Sequence, residues 1–475
     1  MQAGIHEGTA ADRGADAAVS AAANRPGPAG ARAWPPPSTP PELRAALGEA
    51  ARPGALAILH AVAAVAIFAA TPLGKAPANI AFAALVAAWL IRLPGTLAIN
   101  AALLRLPLVW AAIAWLAWAS LSGLWSPDRD QWADQMGALR ALLLVPAIVA
   151  TPPRWRLWVA ALLLGVNAIN VVQVLQEAEL LPLNPRNPRR HAAYGLHPGH
   201  FSTWCGIAVV LSFGAMAQLR GRARWVLAGS AALALAGMAI AAGRGAILGL
   251  VVALPIFAAL AWRLHGGSAL RRSIGPMAAI AAVALPLGLA AFALRGGLDG
   301  IRGQIAQLRQ VSSGGDVTGA IGQRRLWYVA AIELSREHPA RGGGLGFFNA
   351  RLADAPSIRA AMEEGTAAGR SPALLAHVLD AAHPHSTPLH ALVDLGAVGV
   401  AIAAALALTI LATAFAAARC SPLGVAIFAA TILWMVASVF ESLHLSGTMT
   451  TALALLVAMS IASLLARRSR VAVAG

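Results

Sequence analysis

The stretch His383-Pro384-His385-Ser386-Thr387-Pro388-Leu389-His390 gathers imidazoles at the edge of a long apolar run. Thr387 reads as a helix N-cap with Pro388 at the first helical position. His385 then stands just outside a helix N-terminus, where free N–H groups and the helix dipole attract anions. An imidazole at that point can act as a general base, although an interfacial histidine bonded only to backbone is the alternative reading. His390 and Asp394 follow at i, i+4 spacing on one helix face, so the carboxylate can hold the imidazole or meet an arginine from another span. His383 and His390 read more simply as structural. Arg244 interrupts the Ala-rich run Ala241-Ala242-Gly243-Arg244-Gly245-Ala246. Flanking glycines admit a ligand closely, and a guanidinium grips a diphosphate bidentately; otherwise Arg244 snorkels at a helix end.

Further arginines open Gln323-Arg324-Arg325-Leu326-Trp327-Tyr328, the start of an amphipathic helix expected to reach Glu337. His338-Pro339 and the run Gly342-Gly343-Gly344-Leu345-Gly346-Phe347-Phe348 follow. The run lacks the Lys-Ser/Thr ending of a P-loop and reads as a tight turn packing its phenylalanines against the membrane face.

The elements that must carry these groups are apolar helices. The 475 residues are 58% hydrophobic and 12% charged, against about 25% charged in soluble domains. Apolar runs near the roughly 20 residues of a membrane-crossing helix recur throughout, which gives an all-α, polytopic transmembrane bundle of about twelve helices. Continuous runs such as residues 54–72 and 423–440 exclude the alternating pattern of a β-barrel. The expected organisation is a disordered cytoplasmic tail over 1–50 and nine spans within 51–294. A large, partly helical outside loop follows over 295–387, then three spans within 388–466 and a basic cytoplasmic tail over 467–475.

With the N-terminus inside, Arg92, Arg105, Arg154, Arg156, Arg220, Arg222, Arg224, Arg263, Arg271, Arg272, Arg419 and Arg467 all fall on inside connections. The net charge of +16 is thereby mostly a topology signal, not a nucleic-acid footprint. Outside segments that stay basic, at Arg186, Arg189 and Arg190, at Arg244, and in 295–387, point to an anionic ligand there. Cys205 and Cys420 support neither a disulfide framework nor a cysteine metal site.

The pattern resembles the O-antigen ligase and O-antigen polymerase superfamily of membrane glycosyltransferases, closest to the ligases. The resemblance covers residues 54–466. It rests on Leu121-Ser122-Gly123-Leu124-Trp125-Ser126, Arg244-Gly245, the arginines before Trp327, His338-Pro339 with its glycine turn, and His385 with Asp394, Gly396 and Gly399. Family members usually carry His-Asn and then Glu where this chain has His385-Ser386 and Asp394, and either Arg324 or Arg325 fills the place of the family's loop arginine.

The resemblance implies an enzyme of the bacterial inner membrane, its site facing the periplasm. The implied donor is a glycan linked to undecaprenyl diphosphate, and the implied acceptor is lipid A–core. His385 is expected as base and Arg244 with Arg324 or Arg325 as diphosphate clamp, supported by His390, Asp394 and Arg190. No cofactor or metal is expected, since Asp128-Arg129-Asp130 is remote in sequence from the basic cluster. Membrane lipids are the remaining partners, and nucleic acid is not one. An O-antigen polymerase or a protein O-oligosaccharyltransferase fits the same motifs. A transporter or flippase of lipid-linked glycans is the alternative of another class, disfavoured because the charges cluster on one side.

Overall fold

The computed structural model describes residues 54–177, 180–182, 197–294, 320–367, 378–379 and 383–474, all within the compact unit Pro41–Gly475. The expected tail 1–50, Arg186, Arg189, Arg190 and residues 295–319 lie outside them. Every regular element among the described residues is helical. In chain order these are α1 (Ala55–Ala70), α2 (Lys75–Ile91), α3 (Leu93–Leu103), α4 (Pro107–Ser122), α5 (Arg129–Leu139), α6 (Leu144–Val149), α7 (Trp155–Glu177), α8 (Pro198–Gln218) and α9 (Arg222–Ala241). They continue with α10 (Arg244–His265), α11 (Gly267–Leu294), α12 (Ala320–Ser335), α13 (Phe347–Arg351), α14 (Pro356–Ala367), α15 (Thr387–Ala418), α16 (Pro422–Phe440) and α17 (Gly447–Ala474).

Among the described residues, nine helices are long and apolar enough to cross a membrane, or ten if the bent pair α2–α3 is one span. This is a polytopic helical membrane protein. Helix is forced in hydrocarbon, because each backbone N–H and C=O must find its partner inside the segment. The difference from the twelve expected crossings has local causes. The span expected over 78–92 belongs to the pair bent by 100° at Arg92, where Pro94 in the first turn of α3 withholds a backbone donor. The span expected over 106–124 is the 16-residue α4. That over 274–294 falls in α11, most of whose later side chains lie outside the description. The span expected over 136–150 starts earlier, at Arg129, and passes through a 3-10 turn, Arg140–Leu143, before Pro146. At the other end, α17 continues as helix to Ala474 rather than stopping before the terminal arginines.

Small residues let the central helices meet closely. A Cβ on Gly249 would lie 2.7 Å from the Leu433 carbonyl oxygen, and one on Gly206 would lie 2.7 Å from the Leu433 side chain, so α8, α10 and α16 pack almost backbone to backbone. Contacts at the ends sort into two groups. His265 with the Ala418 carbonyl and Arg272 with the Ala217 carbonyl join one end. The Gly243 N–H to the Ser202 hydroxyl, and Thr387 to the Glu441 carbonyl, join the other.

α15 is broken at Gly396, which has φ 69° and ψ −170°. The freed backbone groups are taken up by the glycine turn. The N–H groups of Gly343 and Gly344 donate to the carbonyls of Val393 and Asp394, while those of Ala397 and Val398 donate to Pro339 and Ala340. The Trp118 indole N–H reaches the Leu395 carbonyl at 3.0 Å. No buried polar group of the break that these bonds reach is left orphaned, which lets an interrupted helix persist in an apolar bundle. Ser126 and Ser122 fasten the same turn, the Ser126 hydroxyl donating to the Leu345 carbonyl at 2.7 Å and the Ser122 hydroxyl accepting from the Leu345 N–H at 3.4 Å.

Phe347 and Phe348 do not face the membrane as the sequence suggested. They are buried with Leu326, Trp327, Leu334, Ile358 and Val378, the apolar core of the helices that follow Ala320. A short amphipathic cluster needs those rings more than the bilayer does.

Candidate functional site

Helix α15 begins at Thr387, with Ser386 rather than Thr387 in the cap position and no side-chain capping bond. The Thr387 hydroxyl is engaged elsewhere, donating to the Glu441 carbonyl at 3.2 Å and lying 3.0 Å from His444 Nδ1. His385, just before the helix, has φ 53°, a left-handed conformation that a non-glycine residue adopts under strain. Several contacts hold it there. The Trp327 ring stacks on the imidazole at 5.1 Å between centroids with 20° between planes. Trp327 is itself anchored by its indole N–H on the Val378 carbonyl at 2.9 Å. The Tyr328 hydroxyl reaches the His385 carbonyl at 3.4 Å, and the His385 N–H donates to His383 Nδ1 at 3.3 Å.

The decisive partner of His385 is Glu441, a residue the sequence reading passed over. His385 Nδ1 lies 3.0 Å from Glu441 Oε2, and Arg324 donates to the other oxygen, Oε1, at 2.6 Å. Arg324 also donates to the Phe440 carbonyl at 3.2 Å. Burial raises the Glu441 carboxyl, but the His385 hydrogen bond, the Arg324 charge and the imidazoles of His385 and His197 more than offset it, leaving it at about 2. The carboxylate is therefore ionised and accepts the Nδ1 proton. His385 Nε2 becomes the nitrogen that can take a proton, the arrangement in which a carboxylate fixes the tautomer of a general base.

Arg244 starts α10 after a tight turn with Ala242 left-handed at φ 52° and the Gly243 N–H donating to the Ser202 hydroxyl at 3.0 Å. Arg244, Arg324 and Arg325 line one cavity of about 460 Å³, whose remaining wall is largely apolar and includes Leu248, Val329, Ile332 and Phe440. His385 is not on that wall; it stands one carboxylate away, across Glu441. Arg324 is the arginine at this junction, and Arg325 lines the same cavity. No family model matches the chain, and no curated protein does.

His390 and Asp394 meet on one helix face as their i, i+4 spacing leads one to expect, and each has further partners. Their facing atoms, Nε2 and Oδ2, lie 2.9 Å apart, yet the approach lacks hydrogen-bond alignment and Nε2 is left without a partner. The aligned hydrogen bonds of the buried Asp394 run to the glycine turn, from the N–H groups of Gly346 at 2.8 Å and Phe348 at 3.0 Å. Asp394 fastens the turn in place, and among the described residues it pairs with no arginine. His390 Nδ1 lies 3.0 Å from His444 Nε2. Burial, with His390 and His383 nearby, pushes His444 well below the usual histidine range. Desolvation, with His385 and His390 beside it, holds His383 at about 3. Both imidazoles are neutral at ordinary pH. Among the described residues no three His, Cys, Asp or Glu side chains converge as a metal site would require. Arg190 lies outside the described residues.

Proposed function

We propose that this chain is a glycosyltransferase that moves a glycan from a polyprenyl diphosphate carrier to an acceptor hydroxyl, as an O-antigen ligase does, completing lipopolysaccharide on the periplasmic face of the inner membrane. The reading takes the chain to cross about twelve times, with residues 295–387 outside. What supports it above all is a cavity holding Arg244, Arg324 and Arg325 beside a histidine whose Nδ1 is held by Glu441. Arginines bind a diphosphate bidentately, and the apolar wall of Leu248, Val329 and Ile332 suits the first isoprene units.

The reaction follows from those roles. His385 Nε2 takes the proton of the acceptor hydroxyl as its oxygen forms a bond to the anomeric carbon. The bond from that carbon to the diphosphate oxygen breaks, and the carrier diphosphate leaves with its negative charge stabilised by the guanidinium groups. Glu441 stabilises the imidazolium formed and couples it to Arg324, so base and clamp share one carboxylate.

The lipopolysaccharide profile of a deletion strain tests the acceptor. Loss of all polymer from lipid A–core, with carrier-linked polymer accumulating, is the expected result; single repeats on core would indicate a polymerase. Because arginine charge takes the place of a divalent cation in this mechanism, purified enzyme should keep its activity in excess EDTA. Activity that vanishes in chelator and returns with magnesium or manganese would overturn the arginine clamp.

A further inference from the structure

A second and larger cavity, about 650 Å³, opens at the same end of the bundle. The segment Phe440-Glu441-Ser442 runs between the two. Phe440 lines the arginine cavity, Ser442 lines the larger one, and Glu441 lies between them holding His385. His383, whose ring meets that of His385 edge-on at 4.5 Å, also lines the larger cavity.

The walls of the two cavities differ in chemistry. The arginine cavity pairs three cations with apolar side chains, as a lipid diphosphate requires. The larger one is lined by neutral hydrogen-bonding groups, among them Gln131, Gln135, Ser446 and Thr448, together with Lys75, Arg140 and Asp134. Arg140 is already engaged, donating to Asn79 Oδ1 at 2.6 Å with its guanidinium over the Phe82 ring.

Two of these wall residues carry buried polar atoms without a partner. Gln135 is 4% exposed and Ser442 3%, and the amide oxygen and nitrogen of Gln135 and the hydroxyl of Ser442 all lack hydrogen bonds. Folded proteins leave few such atoms, because a donor or acceptor taken out of water without replacement is unfavourable. A carboxamide offers one acceptor and two donors, which matches the hydroxyls of a sugar, each both donor and acceptor.

We infer that the larger cavity is the acceptor subsite: Gln135 and Ser442 bind the hydroxyls of an acceptor sugar and present one of them to His385. This rests on the glycosyl-transfer reading, and it adds which wall holds the acceptor and by what chemistry. Donor diphosphate and acceptor sugar then approach the His385–Glu441 pair from separate cavities, as a displacement at the anomeric carbon demands.

The test uses the full-length protein in nanodiscs and, as acceptor probe, lipid A–core extracted from a strain that makes no polymer. Gln135→Leu keeps the side-chain volume and removes the amide. Binding of the probe is measured in a His385→Ala background, where no transfer intervenes, and the half-saturating probe concentration for transfer is measured in the wild-type background. Gln135→Leu is expected to weaken both by about 3- to 10-fold, and Ser442→Ala in the same direction by less, with the half-saturating concentration of carrier-linked donor unchanged. Unaltered probe binding by folded Gln135→Leu and Ser442→Ala proteins overturns the subsite, as does equal weakening of donor and probe. Failure of the wild-type protein to transfer glycan, with probe binding still lost in the Gln135 variant, would fall on the glycosyl-transfer reading alone and leave the sugar subsite standing.

Discussion

His385→Ala is expected to lower the turnover of glycan transfer by about 10²- to 10⁴-fold, the usual contribution of a positioned general base. Donor binding should be close to wild type, because the guanidinium groups of Arg244 and Arg325 remain on their cavity wall. The loss should appear in kcat far more than in the half-saturating donor concentration. Glu441→Gln should go the same way. The carboxamide cannot stabilise an imidazolium as a carboxylate does, and Arg324 loses the negative charge it meets at 2.6 Å. The pH dependence of folding separates the two parts Glu441 plays. Its carboxyl is held at about 2 against an ordinary 4.5, so its contribution to stability is complete above the ordinary value and is lost as pH falls from about 4.5 through 2. Wild-type protein should therefore lose its advantage over Glu441→Gln only in acid, and activity differences near neutrality will report chemistry rather than unfolding. A His385→Ala protein that retains turnover within a few-fold of wild type removes the base from the mechanism.

Which parts of this were legible in the sequence follows from how each residue stands against its neighbours. Arg244 and the pair Arg324-Arg325 stand out because charge in apolar sequence on an outside segment has few structural excuses. His385 stands out by its place before a proline-started helix. Glu441 does not, although it is the only carboxylate after Asp394. It ends an apolar span, where a single acid reads as solvated, and its partners are 56 and 117 positions away in the chain. That isolation was the available signal. Gln135 was equally silent, since an amide on a short polar helix has no pattern that distinguishes a ligand contact from a surface residue.

The bundle was legible as a bundle, because hydropathy reports the solvent of each segment directly. Its breaks were less so. Pro94 and Pro146 mark two of them, whereas Leu395-Gly396-Ala397 looks like any small residue in an apolar helix. The cause of that break lies some fifty positions earlier, in backbone hydrogen bonds from the glycine turn. Local sequence cannot report a partner of that kind.

The joint between the glycine turn and α15 carries the second large effect. At φ 69° and ψ −170° Gly396 occupies backbone space closed to residues with a Cβ. A Cβ there would collide with the Ala340 carbonyl and the Gly342 N–H, and one on Gly342 would collide with the backbone at Asp394. Gly396→Ala must therefore either distort α15 or expel the turn. Strain of this kind is worth about 1–3 kcal/mol before any hydrogen bond is lost. Asp394→Ala attacks the same joint from the side chain, removing the acceptor of the Gly346 and Phe348 N–H groups, and a buried donor left without its acceptor costs about 1–3 kcal/mol. Each substitution should lower the midpoint of thermal unfolding in detergent by several degrees. Because both release one element, the double variant should lose much less than the sum of the two. Activity should fall with them, since the chain that leaves the turn carries Phe347 and Phe348 into the cluster against which Trp327 packs, and Trp327 is the wall behind His385. Unfolding midpoints within a degree of wild type for both single variants, or strictly additive losses, would mean that the turn and the broken helix are not mechanically joined, and that His385 is positioned by Glu441 alone.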